Sequence, residues 1–204
     1  ADCLYAPGIR TPEQIRAVVA AVAPKPFNLL VGSASELTVQ AIAAAGLEAA
    51  PHLSCVGSTR ESIAETLATY RANPKINRVV ALRGDLPSGT ATAGEFRYAA
   101  ELVRFIRETQ GADWHIEVAA YPEYHPAQRY AARDLQHYVD KIKAGASSAI
   151  TQFFFNPDAY FHFVEQTQRL GATVPVVPGI MPFHNFARIA QFAQRDGIDI
   201  PRWV

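Results

Sequence analysis

Seven times along this chain a short apolar run gives way to a stretch with helical periodicity, and that alternation restricts the fold to the α/β class. The strand-like runs are Asp2 to Ala6, Phe27 to Val31, Ala49 to Cys55, Arg78 to Leu82, Ile116 to Ala120, Ala149 to Phe155 and Val174 to Val177. Thr11-Pro12 opens the first helix, with Ile15, Val18, Val19 and Val22 at helical spacing. Later helices are expected from Ser35 to Gly46, Ser58 to Arg71, Phe96 to Glu108, about Ala127 to Ala144, Ala159 to Leu170 and Phe183 to Gln194. Short connections between such units predict parallel strands wound the same way each time. No linker or low-complexity tract divides the sequence, so residues 1–204 are expected to form a single domain.

Polar groups close nearly every strand rather than gathering at one reversal point. That favours a TIM-type βα barrel over an open doubly wound sheet. A full barrel has eight strands over about 250 residues, and seven βα units are recognisable here. Either one strand is missing, a partner chain supplies it, or the barrel closes imperfectly. An unfinished sheet edge would favour a homo-oligomer.

Nineteen basic residues balance nineteen acidic ones, and no run of like charge occurs, so neither nucleic acid nor an anionic membrane is an expected partner. The apolar stretches are strand-sized, too short to span a bilayer. Ala1-Asp2-Cys3-Leu4-Tyr5 lacks the basic flank and long apolar segment of a secretory leader. Cys3 and Cys55, both in strand-like runs, read as buried free thiols in a cytoplasmic protein. The six histidines form no two-His helical motif and find no clustered thiolates, so no metal site is expected.

The strand ends carry the chemistry. Val79-Val80-Ala81-Leu82 stops abruptly at Arg83-Gly84-Asp85, two opposite charges flanking a glycine. Ala119-Ala120 leads into Tyr121-Pro122-Glu123-Tyr124-His125-Pro126, and Ala149-Ile150-Thr151 into Gln152-Phe153-Phe154-Phe155. On residue type alone, Arg83 and Asp85 also fit a rim ion pair, Tyr98 a half-buried helix aromatic, and Asp134, His137 and Lys141 a solvated helix face.

The segments GLEAAPHLSC, VVALRGDLP, VAAYPEYHP, AITQFFF and VPGIMPFHNF, in this order and spacing, resemble the methylenetetrahydrofolate reductase family from about Gly46 to Val204. Residues 1–46, with ADCLYAPGIRTPEQIRAVVAAVAPKPFNLLVG, are instead similar to the later strands of the phosphoenolpyruvate mutase and isocitrate lyase superfamily. The combination reads as a chimera of two barrels, natural or engineered, with two βα units in 1–46 and five in 47–204.

The reductase resemblance implies a flavoprotein oxidoreductase of one-carbon metabolism. It passes a hydride from NAD(P)H through FAD to 5,10-methylenetetrahydrofolate. The positions matching its flavin contacts are His52, Arg83, Gly84, Asp85, Tyr98, Ala99, Tyr121, His125, Asp134, His137 and Lys141. Asp85 and Gln152 match the folate contacts, and Asp85 is the one expected catalytic residue. Asp140 departs from the pattern, placing a carboxylate where the family commonly has a basic residue. The family's proton-donor strand has no match in these residues, and neither Glu48 nor Glu123 fits its motif, so little or no turnover is expected. The alternative is a recombined or engineered barrel scaffold without activity.

Overall fold

The computed structural model describes residues 2–5, 13, 17, 29–33, 36–44, 46, 48–84, 94–181, 183 and 185–204. They fall into two compact units, Ala1–Ile116 and Glu117–Val204, the division lying inside the fifth strand.

In the first unit, strand β1 (Asp2–Tyr5) runs parallel to β2 (Leu29–Ser33), with Leu4 opposite Val31. β2 continues the parallel order to β3 (Glu48–Ser54), and β3 to β4 (Arg78–Leu82). Helix α1 (Glu36–Ala44) packs on β2 and β3, burying Val39, Ile42 and Ala43 and leaving Leu37 out in solvent. Helix α2 (Arg60–Arg71) turns Ile63, Leu67 and Tyr70 inward, at i, i+4 and i+7. Its start is fixed by Thr59, whose hydroxyl accepts from Ser62 N–H while the Ser62 hydroxyl accepts from Thr59 N–H. Helix α3 (Ala99–Gln110) packs on β4 and buries Leu102, Val103 and Ile106 completely. Ala49, Ala50, Val79 and Ala81 are buried on successive positions, which is how a parallel strand covered on both faces reads.

In the second unit, β5 (His115–Ala120) pairs in parallel with β6 (Ser148–Phe153), and β6 with β7 (Val176–Gly179). The β6–β7 ladder shifts register between Ile150 and Phe153. At that shift Gly179 donates its N–H to Thr151 Oγ1 at 2.8 Å, and a Cβ on it would lie 2.1 Å from the Thr151 carbonyl oxygen. Only glycine fits there. Helices α4 (Ala131–Lys143) and α5 (Pro157–Arg169) meet through an edge-on contact of Tyr138 with Phe163. Helix α6 (Phe186–Asp196) closes a core of Phe153, Ile189, Ala193 and Ile198.

Several boundaries differ from the sequence expectation. Of the first expected helix, only Glu13 and Ala17 are described, and both are helical. β2 extends to Ser33, two residues past the expected end. α3 begins at Ala99 rather than Phe96, because Phe96 is a buried core plug ahead of the helix and Glu101 captures the Arg97 N–H at 2.7 Å. α4 begins at Ala131 rather than Ala127. The residues ahead of it form turns closed by Tyr124 N–H to Tyr121 O and Gln128 N–H to His125 O. β6 stops at Phe153, since Asn156 caps α5 and Pro157 occupies its first turn. β7 runs two residues later than expected, and α6 starts at Phe186 under an Asn185 cap.

Replacing Ile106 with alanine is expected to cost about 2–5 kcal/mol in urea unfolding. Leu37→Ala, on an exposed face, is expected to stay within about 0.5 kcal/mol of the parent. Equal costs would contradict this assignment of the α1 and α3 faces.

Candidate functional site

In the first unit, pairing of β3 with β4 places His52 opposite Val80 and Ser54 opposite Leu82. His52 therefore shares a face with Ala50, Val80 and Leu82, which pack together as a small cluster. The pairing continues past the strand ends: Cys55 N–H donates to Leu82 O at 3.0 Å and Val56 N–H to Arg83 O at 3.1 Å. Arg83 thus stands immediately beyond the sheet with its side chain exposed. Gly84 follows at φ +79, and a Cβ there would lie 2.0 Å from Ser54 Oγ. The glycine expected to admit a cofactor is required first by its approach to Ser54. Asp85 lies outside the described residues, as do 86–93.

Tyr98 is the N-cap residue of α3 and is exposed, while Ala99, the first helical residue, is buried. Carboxylates serve helix starts here, Glu95 accepting the Arg60 N–H of α2 at 2.5 Å and Glu101 the Arg97 N–H ahead of α3. The Arg60 guanidinium lies 5.3 Å from the Phe96 ring centre and 5.2 Å from that of Phe105. Cys55 is a free, buried thiol. Burial, with the Glu101 charge adding to it, pushes its pKa up to about 12, so at neutral pH it is an inert thiol.

In the second unit, Tyr121 and His125 meet edge to face with ring centres 4.6 Å apart. Tyr124, between them, takes a positive φ of 67, an unusual conformation for a residue with a side chain. His125 Nδ1 accepts the Ala127 N–H at 3.1 Å, which assigns the proton of a neutral ring to Nε2. Asp134 accepts the His125 N–H at 3.1 Å, so the helix carboxylate holds the backbone of the loop.

Asp134, His137 and Lys141 share one face of α4, as their spacing predicts. The Lys141 ammonium donates to the Ala119 carbonyl at the end of β5 and lies 5.8 Å from the Tyr138 ring centre. Burial lowers its pKa to about 8, against the opposing pull of Asp134. Asp140 falls on another face, exposed and bonded to Gln136 at 2.8 Å. The departure from the family pattern is thereby turned away from Lys141's side of the helix.

Gln152 ends β6 with both amide atoms engaged: Oε1 accepts the Phe153 N–H at 3.0 Å and Nε2 donates to Asp196 at 3.3 Å. Asp196 is itself gripped by Arg195 at 2.7 and 3.0 Å. Gln152 and Asp196 border a small cleft lined also by Tyr121, Glu123 and Ile198, with room for about one water. Burial raises the Glu123 pKa, and its carboxyl accepts the Asp199 N–H at 3.3 Å. Ser54, Arg195 and Asp196 were not singled out from sequence. A serine closing a strand and an Arg-Asp-Gly helix end are too common to mark a site.

Among the described residues, no group of three His, Cys, Asp or Glu is placed to hold a metal ion. No helix among them is long and apolar enough to cross a membrane.

With this geometry in hand, comparison with known proteins is decisive for the family. The methylenetetrahydrofolate reductase sequence pattern matches residues 30–204. The chain belongs to the methylenetetrahydrofolate reductase family. The 5,10-methylenetetrahydrofolate reductase of Salmonella typhimurium strain LT2 is 44% identical over 159 residues, 78% of this chain and 52% of that protein. The chain thus spans about half the length of the curated relatives it matches. The family match takes in α1 and nearly all of β2, so it reaches into residues 1–46, for which a mutase ancestry was expected.

Solved structures agree on the fold. An uncharacterized protein from Clostridium thermocellum, whose structure binds two copies of 5-methyl-5,6,7,8-tetrahydrofolic acid, superposes with a TM-score of 0.68 at 15% identity. It covers 98% of this chain and 72% of its own. The deoxyribose phosphate aldolase of Aeropyrum pernix superposes with a TM-score of 0.55 at 16% identity, over 87% of this chain and 74% of its own. The fold is α/β of the TIM-barrel type, with four parallel strands in the first unit and three in the second among the described residues.

The Lys141 environment yields a pH signature. Between about pH 8 and the ordinary lysine value of 10.5 the unfolded chain holds the Lys141 proton and the folded chain does not. Stability from this group therefore rises with pH across that window. Side-chain amine NMR is expected to find a midpoint near 8, and Asp134→Asn to lower it further. A midpoint above 10 in the parent would contradict the burial of this amine.

Proposed function

We propose that the chain binds FAD and serves the reduction of 5,10-methylenetetrahydrofolate, with NAD(P)H as reductant. The observation that carries the reading is the end of β4, where an exposed Arg83 and a Gly84 N–H that no described residue accepts follow directly on the last strand residue. A flavin needs such donors for its ring oxygens and nitrogens. Within the first unit Arg83, as a forked donor, and the Gly84 N–H beside it suit the ring end of the group, while Tyr121 and His125 of the second unit, an edge-to-face pair, are assigned to it by their match to the family motifs. His52, Tyr98, Ala99, Asp134, His137 and Lys141 complete the assigned set by their match to the family motifs.

FAD, when bound, carries a hydride from NAD(P)H to the methylene carbon of the folate. The chain's own part is to bind and orient. Asp85 and Gln152 are assigned to the folate, Gln152 exchanging its Asp196 partner for the pterin. Asp134 fixes the loop bearing His125, and Lys141 fixes the end of β5.

Folate ring opening requires an acid at N10. No segment of these 204 residues matches the family's donor motif, so a polypeptide of this sequence is proposed to bind and reduce flavin with little methyl product. The mutase-like character of residues 1–46 is proposed to reflect a second ancestry, on the motifs quoted above. A cytoplasmic location and self-association are part of the same proposal. The latter is supported by the exposure of Val177, Ile180, Met181 and Phe183 in and after β7.

A second reading, a scaffold without catalysis, is favoured by the Gln152–Asp196 bond and by a cleft with room for about one water.

The protein incubated with FAD and desalted is expected to retain a visible flavin band that NAD(P)H bleaches without oxygen. A colourless protein contradicts the proposal, and a flavin band that NAD(P)H leaves unchanged favours the scaffold. Light scattering is expected to report a dimer or larger species, and a monomer would remove the self-association.

A further inference from the structure

Ser54 sits at the end of β3 and makes contacts that the flavin reading does not use. Its hydroxyl donates to the Arg83 carbonyl at 3.2 Å and accepts the Val56 N–H at 3.3 Å. Its own carbonyl accepts the Ser58 hydroxyl at 2.7 Å, which ties the strand end into the following turn. The Arg83 carbonyl also accepts the Val56 N–H at 3.1 Å. Two donors therefore saturate one carbonyl, and both come from the β3–α2 turn.

A carbonyl held at both lone pairs fixes the plane of its peptide. The Arg83–Gly84 peptide is trans, so its N–H points opposite to its C=O. With the C=O aimed into the Ser54–Val56 turn, the Gly84 N–H is aimed away from it. No described residue accepts that N–H. Gly84 and Ser54 are also sterically matched, since Ser54 Oγ fills the space a Cβ on Gly84 would need.

We infer that Ser54 is a positioning residue, which locks the Arg83–Gly84 peptide so that the Gly84 amide is presented as a fixed hydrogen-bond donor to the flavin. This rests on the flavin reading above and adds to it a main-chain contact and the side chain that orients it. A preformed amide costs no reorganisation when the ligand arrives, whereas a free peptide must first be turned. The hydroxyl is the essential group of Ser54, because no other atom of that side chain can donate to the Arg83 carbonyl beside the Val56 N–H.

The test compares the parent, Ser54→Ala and Ser54→Thr by FAD titration, the visible flavin spectrum, thermal unfolding and amide hydrogen exchange at Val56. Loss of one hydrogen bond of this kind is about a tenfold change in an equilibrium constant. S54A is expected to weaken FAD by about tenfold, shift the flavin band, and speed exchange at Val56, while its unfolding temperature falls only slightly. S54T, which keeps the hydroxyl, is expected to restore affinity and spectrum. Unchanged FAD affinity and spectrum in S54A would overturn the inference, as would an S54T no better than S54A. A parent that takes up no FAD overturns the flavin reading itself and the cofactor half of this inference. Unaltered Val56 exchange in S54A overturns the peptide lock independently of any ligand.

Discussion

The parallel pairing of β3 with β4, carried one peptide beyond the sheet, is the constraint on which the candidate site depends. Within the strands it sets His52 against Val80 and Ser54 against Leu82. Past them, the bonds from Cys55 to Leu82 and from Val56 to Arg83 keep the two chains in register where the sheet has ended. A polar turn is thereby given the rigidity of a strand. Rigid donors at the carboxyl ends of parallel strands are what this class of fold offers a ligand.

The second unit reaches a comparable result by different means. Its loop after β5 is held by side chains: Asp134 on the His125 amide, His125 on the Ala127 amide, and Lys141 on the Ala119 carbonyl. Burying an ammonium to hold one carbonyl is costly, and the lowered pKa of Lys141 expresses that cost. Asp134 offsets part of it and also anchors the loop.

Much of the fold was legible because short apolar runs such as Val79-Val80-Ala81-Leu82 alternate with helices that carry clean inward stripes such as Ile63, Leu67 and Tyr70. Boundaries were less legible where a side chain served two patterns. Phe96 continues the helical spacing of α3 yet is a core plug before it, and Ala127 sits in a turn that His125 closes. At the site, residue types announced Arg83, His125 and Asp134, but not their partners. Ser54 was silent because its importance lies in a hydrogen bond to a main chain 29 positions away. Gln152 was readable as an amide at a strand end, but nothing local marked Asp196 as its partner.

The central claim is that strand-end groups of this chain, with the assigned face of α4 and not its outer helix surfaces, receive the flavin. An amide shift map of nitrogen-labelled protein titrated with FAD tests it directly. The account predicts that Val56 and Gly84 in the first unit, and Tyr121 and His125 in the second, move saturably, while exposed outer-helix positions such as Glu65 and Gln168 stay still. Shifts confined to the helices, or none at any strand end, would contradict it.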